Sequence, residues 1–426
     1  MPNSPPVSPG LASPNQAEPA GSGHFRSAFR HRAFTLFWGA RIAAALAMQM
    51  QVVAVGWQIY SMTGTALNLG LVGLFQFLPT LVLVLVSGHV VDTVDRRRIL
   101  VTVLALETLA IGALCALTAT GVLAPAMIFA IVVVLGIAKS FEGPAMQALL
   151  SALVPPEDLP NAIAWNSSAM QTATVAGPAL GGLLYIAGPA AVYLTSTLLL
   201  GLATFLVFLT RPRPVELPRR AVSLSTLLAG VSFIRSKPAI LGAISLDMFA
   251  VLLGGATALL PVYAQDVLHV GPWGLGLLRS APAVGALMMA VALARHGVKR
   301  NAGGWMLAAV AGFGVATVAF GLSTHPALSF AALVVLGAMD QVSMFVRQIL
   351  IQLSTPDQMR GRVGAVSSLF IGASNQLGEF ESGLAATWLG AVPTVVAGGV
   401  GACAMALLWA WRFPDLRRLD RLSDLH

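Results

Sequence analysis

The chain contains repeated apolar runs of about 20 residues, and this feature limits the fold more than any other. A helix needs roughly 20 mostly apolar residues to cross a hydrocarbon core about 30 Å thick, because each residue adds about 1.5 Å. With 57% hydrophobic and 10% charged residues, the chain has too few polar side chains to cover a soluble globule. We therefore predict an all-α membrane protein with 12 transmembrane helices, at 34–60, 67–90, 99–120, 126–152, 161–187, 190–210, 239–265, 273–294, 303–323, 327–353, 363–389 and 393–411.

The basic residues indicate which helix ends are cytoplasmic. Of the 25 Lys and Arg residues, four lie within predicted spans, and the other 21 lie in segments on one side of the membrane. Cytoplasmic loops carry such an excess of positive charge, so we expect both termini to be cytoplasmic. The net charge of +8 then belongs to these loops and does not indicate nucleic-acid binding.

The longest connection divides the predicted spans six and six. Residues 211–238 begin with alternating Pro and Arg and continue with Leu and Val at helical spacing, which indicates a cytoplasmic linker with an amphipathic helix. The linker separates two six-helix bundles at 31–210 and 239–412. We expect a disordered cytoplasmic tail at 1–30 and a second cytoplasmic tail at 413–426.

An internal similarity supports two related halves. Residues 154–168 resemble residues 354–368, and Pro156 and Pro356 occupy equivalent positions. Two parallel six-helix halves related by an axis along the membrane normal are typical of transporters, which bind substrate between the halves near the midplane.

A short charged segment connects predicted spans 2 and 3. The sequence GHVVDTVDRRR resembles the loop 2–3 signature of the major facilitator superfamily. The matching residues are Gly88, Asp92, Arg96 and Arg97, while Thr93 and Asp95 depart from the signature. The resemblance implies two pseudo-symmetric six-helix bundles and a conformational latch, in which Asp92 lies at the N-terminal amides of span 11 and favours the outward-facing state. A helix dipole stabilises a carboxylate there. A topological anchor without a switching role is the alternative.

Three longer segments narrow this resemblance. They are FEGPAMQALLSALVPPEDLPNAIAWNSS, VAGPALGGLL and VRQILIQLSTPDQMRGRVGAVSSLFIGASNQLGEFESGL, and all are similar to the bacterial branch that includes the enterobactin exporter, the transmembrane secretion effector family. Four residues of predicted span 5 match a signature associated with exporters: Gly177, Pro178, Gly181 and Gly182. Gly177 and Gly181 also have the spacing of close helix contacts. The resemblance implies export across the bacterial inner (cytoplasmic) membrane.

Acidic residues within predicted spans are candidates for proton coupling. A charged group in hydrocarbon costs a few kcal/mol unless it is paired, hydrated or neutral, so such residues are usually functional. The candidates are Asp340, Glu379, Glu142, Asp247 and Glu381. Lys139 lies three residues before Glu142, and an ion pair on one helix face is the simpler interpretation there. The resembled fold places span 3 in an outer scaffold, which favours a structural role for Glu107.

Amide side chains within the predicted spans are candidates for the substrate cavity. They are Gln49, Gln51, Asn166, Gln171, Asn375 and Gln376. Amides in membrane helices also form hydrogen bonds between helices, so both interpretations stay open.

These features together predict a secondary active transporter that exports a siderophore-like or amphipathic drug-like molecule by alternating access, in exchange for protons. An importer or facilitator on the same fold stays open, as does a non-transporting membrane receptor or scaffold. We predict no enzyme, no cofactor and no metal site, because the sequence has no P-loop, HExxH, GxSxG or histidine cluster. We expect a monomer whose partners are the lipid bilayer, the small-molecule substrate and protons.

Overall fold

A computed structural model describes residues 26–212, 224–298 and 301–418, and this part of the chain is helical, without β-strands. The linker residues 213–223 and most of the two predicted tails lie outside the described residues. The N-terminal half contains six long helices: α1 (Arg32–Thr63), α2 (Ala66–Thr93), α3 (Arg96–Ala119), α4 (Pro125–Leu150), α5 (Leu159–Leu184) and α6 (Pro189–Leu209).

A helix in the linker, α7 (Leu224–Ser236), leads into the C-terminal half. That half contains α8 (Pro238–Leu253), the short α9 (Leu260–Val262), α10 (Gly271–His296), α11 (Ala302–Leu322), α12 (Pro326–Ser354), α13 (Asp357–Leu389), α14 (Ala391–Arg412) and the short α15 (Pro414–Arg417). α7 packs on α13, where a Cβ at Gly230 would lie 2.9 Å from the carbonyl oxygen of Arg362.

Ten helical segments of the described part are long and apolar enough to cross a membrane. They include the segment Pro238–Val267, which combines α8 and α9, and they leave out α5 and α13. Both of these helices carry several amide or charged side chains, which lower their hydropathy. The chain is therefore a multi-pass membrane protein, and the number of twelve spans stays a prediction.

Residues 26–30, assigned above to the tail, form part of the N-terminal bundle. The 3-10 turn Ser27–Arg30 buries Ala28, whose amide donates to Asn161 Oδ1 at 3.2 Å. The Phe29 ring packs edge-on against Trp165 at 5.1 Å between centroids. His31 bonds Asp158 at 2.8 Å, and this hydrogen bond, followed by one with Ser27, lowers the pKa of Asp158 below its ordinary value. These contacts attach the segment to the start of α5.

The two halves contact each other through two equivalent helix pairs. The second helix of the N-terminal half, α2, packs against α13, and the fifth, α5, packs against α10. Since α10 and α13 are the second and fifth long helices of their own half, the two interfaces have matching roles. This arrangement is the pseudo-symmetry that the six-plus-six division predicts.

These interfaces are tight near the ends of α2, α5, α10 and α13 that we predict to face outward. A Cβ at Gly182 would lie 2.9 Å from the Cα of Gly276, and one at Gly383 would lie 3.0 Å from the Cα of Gly70. Toward the predicted inner end, a Cβ at Gly143 or Gly372 would meet no atom within 4 Å. The halves thus touch at the outer end and leave space between α4 and α13 at the inner end.

Candidate transport site

Three neighbouring cavities lie between the two halves, with volumes of about 360, 200 and 470 Å³. Arg279 and Glu379 line the first and second cavities, Gln76 and Lys139 line the second and third, and Asn375 lines the first and third. Because neighbouring cavities share these walls, they together form a polar passage between the halves.

An irregular segment of backbone borders the first cavity. α8 ends at Leu253, and the chain continues through Gly254 and Gly255 into a 3-10 turn, α9 and the π-helical segment Tyr263–Val267. Gly254, Gly255 and Thr257 line the cavity. Interrupted helices occur in membrane proteins where the backbone lines a cavity. The sequence predicts a continuous span at 239–265 and misses this interruption.

Most of the predicted polar site residues line the passage. They are Gln49, Gln51, Asn166, Asn375, Gln376, Glu142, Asp340 and Glu379. The predicted residues Gln171 and Glu381 do not line these three cavities, and Glu381 is exposed on α13. Since Glu379 and Glu381 are two residues apart on a helix, they point to different sides, and Glu379 is the one at the passage.

Glu142 pairs with a cation from another helix. Its Oε1 lies 3.5 Å from Nη1 of Arg41 on α1, and both side chains are mostly buried. Lys139, the partner expected from the spacing on α4, forms no ion pair with a described residue and is exposed in the second and third cavities. The expected Lys139–Glu142 pair is therefore replaced by a contact between α1 and α4.

A second buried ion pair joins α8 and α12. Arg347 contacts the Asp247 carboxylate, and their side chains are only 4% and 7% exposed. Ser343 donates to the same carboxylate at 3.5 Å. Asp340 lies one turn before Ser343 on α12, in the first cavity, and forms no hydrogen bond or ion pair with a described residue. Of these two acids, Asp247 has a fixed counter-ion, and Asp340 has none among the residues that the structure describes.

Glu379 lies at the contact between α13 and α2. A Cβ at Gly73 would lie 2.8 Å from Oε2 of Glu379, so this carboxylate lies close against the backbone of α2. The carboxylate interacts electrostatically with Arg279 of α10 and Lys139 of α4. An acid from the C-terminal half therefore interacts with cations from both halves.

The four residues of the predicted exporter signature lie where α5 meets α1 and α10. A Cβ at Gly181 would lie 2.8 Å from the Cα of Met50 on α1, and a Cβ at Gly182 would lie 2.6 Å from the carbonyl oxygen of Pro272 on α10. Gly177 lies against Gln49, and Pro178 lines the first cavity. The small residues thus bring three helices from both halves into direct backbone contact.

Comparison with known proteins identifies the family. A family model described as transmembrane secretion effector matches residues 24–426. The chain belongs to this family of major facilitator transporters. The family assignment and the transporter fold confirm two predictions, that the chain is an all-α member of the superfamily and that it is not an enzyme.

Curated relatives and solved structures agree with this assignment. The chain is 28% identical to the enterobactin exporter EntS of Citrobacter koseri over 407 residues, with 91% of this chain and 93% of that protein covered. It is 27% identical to EntS of Shigella flexneri over 409 residues, with the same coverage.

Two solved structures share the fold. A bacterial homologue of the human lysosomal transporter Spinster, in an inward-facing and occupied conformation, has a TM-score of 0.70 at 14% identity, covering 93% of this chain and 99% of that chain. A bacterial homologue of the iron transporter ferroportin, in an inward-facing state, has a TM-score of 0.69 at 18% identity, covering 91% and 98%.

The loop signature of this major facilitator transporter has a local structural role at the start of α3. Asp95, which departs from the superfamily pattern, caps the helix by accepting from the amides of Arg97 and Arg98 at 2.8 and 3.4 Å. The Arg97 side chain donates to the carbonyl oxygen of Phe208 on α6. Asp92 forms no hydrogen bond or ion pair with a described residue, so its latch contact stays a prediction.

Sequence reasoning missed the cations of the transporter's passage. Arg41, Lys139 and Arg279 are counted among the Lys and Arg of the predicted spans, but only the cost of the acids is used to select candidates there. A basic residue in a span carries the same penalty and gives the same signal. Gln76, which lines two cavities, was available from the same criterion as the other amides.

Proposed function

We propose that this transporter exports a small molecule from the cytoplasm across the bacterial inner membrane, in exchange for protons and by alternating access. The observation that carries the proposal is the polar passage between the halves. In it, Asp340 pairs with no cation of the described residues, and Glu379 interacts with Arg279 and Lys139. The names of the EntS relatives support export and favour a siderophore-like or amphipathic substrate. The excess of basic residues in one set of loops supports cytoplasmic termini.

The arrangement suits binding from the inner end. The space between α4 and α13 gives a solute access to the passage, while the glycine contacts of α5 with α10 and of α2 with α13 close the outer end. Rocking of the halves about the passage would then exchange the open end for the closed one. One proton that enters down a potential of 100 mV provides about 2.3 kcal/mol for this cycle.

The carboxyl groups of the passage can bind and release the transported protons. An ionised carboxylate without a counter-ion is unfavourable in apolar surroundings, so Asp340 favours its neutral form whenever the passage is dry. Access of water from the outer side would load it, and access from the inner side would unload it. Glu379 interacts with Arg279 of its own half and with Lys139 of the other half, so its protonation weakens an attraction between the two halves.

Uptake into everted membrane vesicles tests the proposal. We expect enterobactin, or the amphipathic dye ethidium as a second probe, to accumulate when the vesicle lumen is acidified. Asp340→Asn or Glu379→Gln should remove this pH dependence, while Glu381→Gln serves as a control because its side chain lies outside the passage. Pumping in the reverse direction would indicate an importer, and unchanged pH dependence in both variants would refute the assigned proton carriers.

A further inference from the structure

The third cavity carries an excess of positive charge. Three of the described residues that line it are ionisable at neutral pH, and they are two cations and one acid: Arg41, Lys139 and Glu142. Glu142 contacts Arg41 at 3.5 Å, whereas Lys139 forms no ion pair with a described residue. Glu379 of the second cavity interacts with Lys139, but Arg279 is its stronger partner. The charge that stays without compensation in the third cavity is therefore that of Lys139.

Several polar atoms around this cavity have no hydrogen-bond partner within the described part of the chain. They are Nε of Arg41, Oδ1 of Asn166 and Oε1 of Gln376. Buried polar groups in folded proteins are almost always hydrogen-bonded, so the occupant of the cavity has to supply the missing partners. The positively charged donors, Arg41 Nε and the Lys139 ammonium group, favour an oxyanion, which forms short charge-assisted hydrogen bonds with them.

The remainder of the cavity wall is largely apolar. Phe77, Met146 and Met170 line it, and methionine side chains adapt to ligands of different shape. The volume of about 470 Å³ lies within the range of pockets that hold drug-sized molecules. An occupant that uses the whole cavity therefore combines an apolar body with one oxyanion group.

The third cavity also has the access that an exported solute needs. Gly143 and Gly372 line it and do not line the other two cavities, and a Cβ at either position would meet no atom within 4 Å. This open space lies toward the end that we predict to be cytoplasmic. A charged cleft with apolar walls concentrates solutes of opposite charge, so anions arriving from this end are favoured.

We infer that the third cavity is the entry site for an amphipathic organic anion, whose oxyanion group binds between Lys139 and Arg41. The apolar body of the anion packs on the side chains of Phe77, Met146 and Met170. This inference rests on the proposed export function and names its substrate class. A cation such as ethidium is repelled at the entry site and depends instead on the acids of the first cavity.

A pair of probes that differ in charge tests the inference. 2-Naphthoate and 2-naphthamide have nearly the same size, but only the first is an anion at neutral pH. Gln147→Cys, in a cysteine-free background of the full chain, places a thiol at the exposed rim of the third cavity. We expect 2-naphthoate to protect this thiol from the neutral reagent N-ethylmaleimide at about one tenth of the concentration that 2-naphthamide needs, as one charge-assisted hydrogen bond provides. Equal protection by the two probes would overturn the inference.

The same measurement in charge variants tests the role of Lys139. Lys139→Gln should raise the protecting concentration of 2-naphthoate about tenfold and leave that of 2-naphthamide unchanged, whereas Lys139→Arg should keep the preference for the anion. Lys237→Gln is the matched control, because Lys237 is exposed at the start of α8 and lines none of the three cavities. A preference for the anion that survives in Lys139→Gln would refute the assignment of this residue.

Substitution of Glu142 should have the opposite effect. Glu142→Gln removes the acid that occupies Arg41, so 2-naphthoate should protect at a several-fold lower concentration than in the unmodified protein. Weaker protection would contradict competition between Glu142 and the bound anion. Should Glu142→Gln fail to fold, the Lys139 variants decide the inference by themselves.

These binding measurements need neither a proton gradient nor transport. Loss of the anion preference together with uptake into everted vesicles would refute the entry site and keep export. An intact anion preference in a protein that transports neither probe of the vesicle assay would keep the entry site and refute export.

Discussion

At the scale of single residues, the membrane charges divide into those with a fixed partner and those without one. Asp247 with Arg347 and Glu142 with Arg41 form ion pairs between helices, whereas Asp340 and Glu107 form no ion pair with a described residue. A fixed pair restrains two helices, because separating the partners leaves a charge without compensation. Protonation of an unpaired acid breaks no ion pair. We therefore assign a structural role to the paired acids and a role in proton binding to the unpaired ones.

The Asp247–Arg347 pair gives a prediction for stability. Arg347→Met leaves the buried Asp247 carboxylate without its cation, and we expect a loss of about 3–5 kcal/mol in the free energy of unfolding. Denaturant unfolding of the purified protein, followed by intrinsic fluorescence, measures the loss. Combining Arg347→Met with Asp247→Leu should recover most of it, because an apolar pair of similar volume needs no compensation. A single variant as stable as the unmodified protein would show that the pair does not restrain α8 and α12.

At the scale of helices, glycines determine how closely the halves approach. The contact of α5 with α10 depends on Gly182 and Gly276, and that of α2 with α13 depends on Gly70 and Gly383. Since the nearest atoms at each position belong to backbone, an added methyl group cannot be accommodated by a side-chain rotation. The exporter signature on α5 therefore acts on the closure of the outer end.

Substituting one of these glycines should open the outer end. In Gly182→Ala, the new Cβ would approach the Pro272 carbonyl oxygen to 2.6 Å, and we expect about 1–3 kcal/mol of strain in the state described here. A cysteine placed at Thr257 in a cysteine-free background should then react faster with an impermeant thiol reagent added outside. Gly112→Ala is the control, because its nearest neighbour is a Thr197 methyl group at 3.5 Å. Equal reaction rates in both variants would contradict the role of the contact.

The helices were more predictable than their contacts. The predicted span at 190–210 differs by one residue at each end from α6, because bilayer thickness and flanking Pro and Thr residues determine its length. The interruption after Leu253 was missed because the span was assigned from apolar length alone, although Gly254, Gly255 and Pro261 are helix-breaking signals. Pairing of Glu142 with Arg41 was missed for a different reason. Spacing along one helix shows which side chains share a face, but partners on other helices depend on how the bundle packs.

At the scale of the whole molecule, contacts at the two ends should have opposite effects on the transport cycle. Near the outer end, Tyr60 on α1 donates a hydrogen bond to Asp266, which follows α9 in the other half. Near the inner end, Asp92 forms no such bond with a described residue. The structure therefore has a closed outer contact and an unused latch residue, as expected for a molecule open toward the inner side.

Substitutions at Tyr60 and at Asp92 should shift the balance between the inward-facing and outward-facing states in opposite directions. Tyr60→Phe loses a hydrogen bond to a charged group, worth about 1.5–3 kcal/mol, and should raise the outward-facing population at least about tenfold. Asp92→Asn should lower that population, because it removes the charge that the predicted latch needs. Spin labels at Glu157 and Gln358, at the inner ends of α5 and α13, measure the change, and a shorter distance marks the outward-facing state.

A matched control separates the loss of the Tyr60–Asp266 hydrogen bond from the general effect of removing a tyrosine hydroxyl group. Tyr185 packs on Trp57 without a hydrogen bond from its hydroxyl group to a described residue, so Tyr185→Phe should leave the distances unchanged. An unchanged distance distribution in Tyr60→Phe would mean that the outer contact does not contribute to closure. A shorter distance in Asp92→Asn would mean that Asp92 favours the inner-open state, which is opposite to the latch.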